Sequence, residues 1–156
     1  MLTESSFIVK DGVVYMFSRS GGNLWVSFSS DWGRTWSLPY QTNFTDASSK
    51  FMCGQLPDGR YYFVSNPGPN TSEGNRLPLT IAISSDGINW SEQYILGDTP
   101  RVQRMEGMYK GGHYAYPNCF IGDDGYFYVI YSVHKEDIEV VRFKLQELGI
   151  ASSEQN

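Results

Sequence analysis

Few residues of this chain stand at spacings that do chemistry on their own. Cys53 and Cys119 share no metal-ligand spacing with each other or with His113 and His134, so two thiols on strands are expected and no metal site. Two aspartates recur in a pattern instead. Ser29, Asp31, Gly33, Thr35 and Trp36 are matched, one residue shorter, by Ser84, Asp86, Gly87, Asn89 and Trp90. A carboxylate so placed accepts hydrogen bonds from the backbone N–H groups of a tight turn, glycine supplies the unusual backbone angles, and the tryptophan is expected to pack back onto its sheet. That is the chemistry of a staple. Cations concentrate between Arg101 and His113, where Arg104, Lys110 and His113 are either anion contacts over a pocket or charges on a solvated linker. The glycosylation sequons at Asn43, Asn70 and Asn89 carry little weight, the last because it lies inside a turn motif.

The elements that hold these residues are strands. Aromatics make up 15% of the 156 residues, with 16 Gly and 11 Tyr, a mix that suits pleated strands and tight turns. A domain of this length hides roughly 70% of its unfolded surface, enough for a real core. The net charge of −5, with no block of Lys or Arg, speaks against nucleic acid or an anionic membrane surface as partner. The longest apolar runs are too short to span a bilayer, and no cofactor is expected. No basic and apolar leader follows Met1, Leu2, Thr3 and Glu4, so the chain carries no signal peptide of its own. Location is therefore open: cytoplasmic, or secreted or periplasmic if a longer protein supplies a leader.

A repeat organises the chain. Three segments run from an apolar strand through Asp-Gly into an aromatic-rich strand: Phe7 to Phe17 around Asp11-Gly12, Phe51 to Val64 around Asp58-Gly59, and Asn118 to Tyr131 around Asp124-Gly125. Asp-Gly between alternating apolar residues predicts a hairpin, because glycine accepts the positive φ of the turn. A third strand follows each hairpin, over Asn23 to Ser29, Leu79 to Ser84 and Ile138 to Lys144. The expected fold is all-β, with about three four-stranded propeller blades near residues 4–45, 46–97 and 112–146, and a tail over 147–156. The last blade lacks its fourth strand.

The stretch Ser29 to Trp36 resembles the Asp-box of the sialidase (neuraminidase) superfamily, the BNR-repeat propellers. The likeness runs along nearly the whole chain: Ser65 to Pro67, Arg76, Leu79 to Gly87, Tyr114 to Asn118, Gly125 to Tyr131 and Ile138 to Phe143. An arginine ten residues before an Asp-box, followed by the Ala115-Tyr116 strand start, is its more specific part. The resemblance implies blades four to six of a six-bladed ring. It implies Tyr116 as nucleophile, Glu4 as the base that activates it and Arg76 as one of three arginines that clamp the substrate carboxylate. A phenol suits that chemistry. Sialic acid carries a carboxylate on its anomeric carbon, which repels a carboxylate nucleophile but not a neutral tyrosine. Guanidinium groups grip a carboxylate through paired hydrogen bonds.

Two positions depart from the family pattern. A second clamp arginine is expected at position 21, where this chain has Gly and the nearest arginine is Arg19; Pro117 replaces the usual Ser and stiffens its strand start. The family's acid catalyst and first arginine come from a blade this sequence does not contain. The resemblance therefore implies a glycoside hydrolase half-site for an acidic carbohydrate. The rest of the ring would come from missing chain or from a homodimer partner. Two alternatives stand beside it: a different propeller enzyme on acidic glycans, with His113 or Tyr114 moving the proton, and a non-catalytic carbohydrate- or protein-binding propeller.

Overall fold

The computed structural model describes residues 2–68, 76–108 and 110–150; the sequon at Asn70 and the end of the predicted tail fall outside them. Eleven strands are formed: β1 (Thr3–Lys10), β2 (Val13–Arg19), β3 (Gly22–Ser29), β4 (Tyr40–Asp46), β5 (Met52–Gln55), β6 (Tyr61–Ser65), β7 (Leu79–Ser84), β8 (Glu92–Gly97), β9 (Tyr114–Ile121), β10 (Tyr126–Val133) and β11 (Asp137–Lys144). They make three antiparallel meanders of four, four and three strands, in the orders β1-β2-β3-β4, β5-β6-β7-β8 and β9-β10-β11. These are sialidase-type propeller blades, the third lacking its outer strand.

The three predicted hairpins form, but they are not alike. Around Asp11 and Gly12 the ladder continues to Lys10 opposite Val13, so the loop is two residues long, both with positive φ (50° and 78°). At the other two, the turn is longer and only the glycine of the pair is left-handed, with φ of 90° at Gly59 and 77° at Gly125.

Strands β6 and β7 are buried along their full length, which accounts for their unbroken apolar runs. The second sheet lies between the other two. Tyr61, Phe63 and Ala82 on one face meet Ile8, Phe17 and Val26 of the first sheet. Tyr62, Val64, Ile81 and Ile83 on the other face meet Tyr114, Phe127, Val129 and Tyr131 of the third. Phe63 is fully enclosed by Phe17, Phe44, Phe51 and Trp90, at centroid distances of 4.6–5.6 Å. The far faces of the terminal sheets are different. Phe7 on β1 is 61% exposed, and Phe120, Ile138 and Val140 on the third sheet are 65%, 74% and 59% exposed.

Part of the predicted tail belongs to the core. Leu145–Leu148 form one 3-10 turn closed by Gly149 in left-handed geometry, and Leu145, Leu148 and Ile150 are buried in the cluster between the second and third sheets. Arg60 Nη2 ties the segment down by donating to the Leu148 carbonyl at 2.7 Å.

Candidate functional site

In each sheet the Asp-Gly hairpin closes the first two strands at one end, and the candidate residues lie at the other. Glu4 is opposite the end of β2, beside Arg19. Arg76 precedes β7, and Tyr116 is the third residue of β9, beside the end of β10.

Both candidate catalytic residues sit in β-bulges. Thr3 pairs with Arg19 but Ser5 with Ser18, which leaves Glu4 as the extra residue at φ 45°. Ala115 pairs with Ser132 but Asn118 with Ile130, so Tyr116 and Pro117 share one partner position, and Tyr116 has φ 56°. A side chain other than glycine adopts this backbone at a cost of about 1–3 kcal/mol, and bulges of this kind re-aim side chains at strand ends. Pro117 is fully buried, while Tyr116 keeps 40% of its surface in solvent.

The Tyr116 ring is a meeting point of cations from two sheets. The Arg76 guanidinium carbon lies 5.9 Å from the ring centroid and Lys135 Nζ lies 5.5 Å from it. Arg76 is held there through its backbone. Buried Asn66 donates from Nδ2 to the carbonyls of Arg76 (2.7 Å) and Pro78 (3.2 Å), pinning the approach to β7.

Glu4 and Arg19 form a second group. Arg19 Nε pairs with the Glu4 carboxylate, and its Nη1 donates to the Ser48 carbonyl and, at 3.0 Å, to Ser48 Oγ. No hydrogen bond among the described residues joins this group to Tyr116. The neighbouring turn explains the glycine at position 21. The N–H groups of Ser20 and Gly21 both donate to Oδ2 of buried Asp46 (2.8 and 3.1 Å). Gly21 has φ 82°, and a Cβ on it would lie 3.4 Å from Ser48 Cβ. A residue with a long side chain is disfavoured there on both counts.

The cationic segment 101–113 docks on the β10–β11 hairpin. Arg104 Nη2 meets both carboxylate oxygens of Asp137 at 2.7 Å, and Arg101 Nη2 meets Glu139 at 3.0 Å. Glu136 accepts from the N–H groups of Arg104 (3.0 Å) and Met105 (2.8 Å), from Arg104 Nε (3.3 Å) and from Lys110 Nζ (3.0 Å). The backbone N–H of Arg104, followed by the other donors, pulls its carboxyl down to about 2. His113 Nδ1 accepts from the Arg101 N–H (3.1 Å), and its ring stands 4.9 Å from that of His134. Burial and the neighbouring His134 hold the His113 pKa below its ordinary value. Tyr114 is buried, edge-on to Tyr131 at 5.4 Å, with its hydroxyl donating to the Thr99 carbonyl at 3.0 Å.

The two Asp-boxes are closed turns. Asp31 accepts from the N–H groups of Arg34 and Thr35 and from the Thr35 hydroxyl (2.6–3.0 Å); Asp86 accepts from the N–H groups of Ile88 and Asn89 and from Asn89 Nδ2 (2.7–2.8 Å). The Thr35 hydroxyl is the main reason Asp31 falls to about 2, and the backbone N–H of Asn89 the main reason Asp86 falls well below the carboxylate range. Their tryptophans behave differently. Trp90 packs on Phe63 and Phe17 as expected, but Trp36 caps its own turn, its indole N–H donating to the Gly33 carbonyl at 3.1 Å. Trp36 thus departs from the expected packing because Gly33 leaves room for its ring at the turn.

A profile of the BNR repeat-like domain matches residues 2–129, most of the chain. The chain belongs to this family. Its BNR-repeat sheets superpose on solved sialidases. One is the intramolecular trans-sialidase of Ruminococcus gnavus, solved with oseltamivir carboxylate (TM-score 0.69, 19% identity, 96% of this chain and 34% of that one). Another is the NanB sialidase of Streptococcus pneumoniae, as its K499G mutant (TM-score 0.67, 17% identity, 92% and 23%). At these identities the likeness is one of fold, and the BNR-repeat chain spans about a third or less of those proteins. No curated protein matches it in sequence.

One residue at this end escaped the sequence reading. Lys135 occupies the β10–β11 turn, and because β9 runs antiparallel to β10, that turn lies beside the start of β9. The strand order, with a lysine in the second hairpin turn, is the signal that would have found it.

Proposed function

We propose that this BNR-repeat chain supplies part of a sialidase-type glycoside hydrolase site for an acidic sugar such as a terminal sialic acid. The observation that carries the reading is the Arg76 guanidinium over an exposed tyrosine held in a bulge at a strand start. In this reading Tyr116 Oη forms a bond to the anomeric carbon, and its proton passes to the Glu4 carboxylate. The glycosidic C–O bond breaks with its electron pair on the leaving oxygen, which takes a proton from an acid outside this chain. Water then displaces the tyrosine at the anomeric carbon, and the phenol recovers its proton. Arg76 and Arg19 hold the substrate carboxylate, with Arg104 and His113 placed farther out in the docked segment.

The remaining blades would come from the rest of the polypeptide or from a second copy. The bare apolar faces of the first and third sheets, around Phe7 and around Phe120, Ile138 and Val140, favour a covering blade on each side.

A non-catalytic carbohydrate-binding propeller is the second reading. The turn at Gly21 and Asp46, which disfavours a clamp arginine there, supports it. The test is turnover of a fluorogenic sialoside by the intact protein. Release of the fluorophore that falls at least a thousandfold in Tyr116→Phe supports the hydrolase. Binding of the sugar without turnover, equal in the two proteins, supports the binding module.

A further inference from the structure

Two cations converge on one exposed ring, and the second of them has no assigned role. We infer that Lys135 is a specificity-determining contact that takes the substrate's carboxylate together with Arg76 beside Tyr116. The inference rests on the acidic-sugar reading above and goes further by naming the second cation at that point.

The backbone of the Lys135 turn is fixed from several sides. His134 and Lys135 both adopt left-handed geometry, with φ of 51° and 57°. The Glu136 N–H closes the turn on the Val133 carbonyl at 2.9 Å, and the His134 N–H donates to the His113 carbonyl at 2.8 Å. His134 Nε2 is 2.9 Å from the Arg101 carbonyl oxygen, and Glu136 is gripped by the N–H groups of Arg104 and Met105. The long segment 101–113 therefore acts as a brace. It holds the turn whose lysine stands over Tyr116.

The other cations near this turn already face carboxylates: Arg101 faces Glu139, Arg104 faces Asp137 and Glu136, and Lys110 faces Glu136. Arg76 and Lys135 face the π cloud of Tyr116. A cation–π contact at an exposed ring is worth about 0.5–1 kcal/mol, against about 1.5–3 kcal/mol for a hydrogen bond to a charged group. An arriving carboxylate outcompetes the ring for both cations, and this places the sugar against the phenol.

The experiment is calorimetric titration of the intact protein with N-acetylneuraminic acid, with its methyl ester and with glucuronic acid. It is run on the unmodified protein, Lys135→Gln, Lys135→Arg and Arg76→Gln, each checked for an unchanged melting temperature. The expected result is an acid Kd about tenfold higher in Lys135→Gln and largely restored in Lys135→Arg, with methyl ester binding unaltered. Acid binding unchanged in Lys135→Gln but lost in Arg76→Gln overturns the role of Lys135 and leaves the sialidase reading standing. Lys135-dependent acid binding without any turnover upholds Lys135 and removes the hydrolase. Failure of the unmodified protein to bind any of the acids overturns both.

Discussion

Asp31 and Glu136 do the same physical work in two different settings. Each is a carboxylate that accepts hydrogen bonds from two consecutive backbone N–H groups, Arg34 and Thr35 in one case, Arg104 and Met105 in the other. Asp31 reaches three and four residues along the chain and closes its own turn. Glu136 reaches back 31 and 32 residues and joins a loop to a hairpin at the end of the blades where Tyr116 lies. The first is a local staple at the Asp-box end. The second is a tertiary brace, and the position of Lys135 depends on it. The difference teaches where function sits in this fold: the repeated end is self-sufficient, and the variable end is built from contacts distant in sequence.

Both ends hang on one core, and that is the hardest part of the comparison to break. Phe63 is fully buried against four aromatic rings between the first and second sheets. Phe63→Ala is expected to cost about 3–5 kcal/mol, the range for deleting a large aromatic from a packed core. Denaturant unfolding followed by tryptophan fluorescence measures it. A loss below about 1 kcal/mol would mean that the two sheets do not share the core described here.

The next test separates the ends. Asp86→Ala removes three hydrogen bonds from an exposed turn, and the expected loss is about 1–2 kcal/mol once solvent screening is allowed for. Acidic-sugar binding should be unchanged, because the box takes no part in the site. Glu136→Gln should do the reverse, weakening the sugar about as much as Lys135→Gln while leaving global unfolding less affected than Asp86→Ala does. Equal effects of both variants on both measurements would erase the distinction between staple and brace.

That distinction also decides what could be read from the sequence. Ser29, Asp31, Gly33 and Thr35 touch one another within one turn, so their spacing is their structure, and the box was legible. The Asp-Gly hairpins were legible for the same reason, as was the all-β class. The continuous burial of β6 and β7 followed from their apolar runs. Lys135 and Glu136 gave no such signal. Their partners lie 19 to 59 residues away and are brought near only when the third sheet packs on the second. The core role of Leu145, Leu148 and Ile150 was hidden in a polar-looking tail whose three apolar residues matter only once the turn forms. The Glu4–Arg19 pair lay between, 15 residues apart across a single hairpin, and a register count would have reached it.

The smallest expected effect concerns acid. Asp31 and Glu136 each have a folded pKa near 2, below the ordinary values of 3.8 and 4.5 they regain when unfolded. A depressed carboxylate stabilises the fold fully above its unfolded pKa, and that contribution disappears as pH falls through the folded value. The melting temperature should therefore decline between about pH 4.5 and pH 2, and the decline should be shallower in Asp31→Asn and in Glu136→Gln, each of which removes one titrating group. The two variants should differ in what opens first. In the parent protein at pH 3, amide exchange at Arg104 and Met105 should quicken before exchange at Arg34 and Thr35, because the brace must hold two separate chain segments together and the box only one. If the four amides lose protection together, the Tyr116 end is as tightly coupled to the core as the Asp-boxes are, and the site is as rigid as the scaffold beneath it.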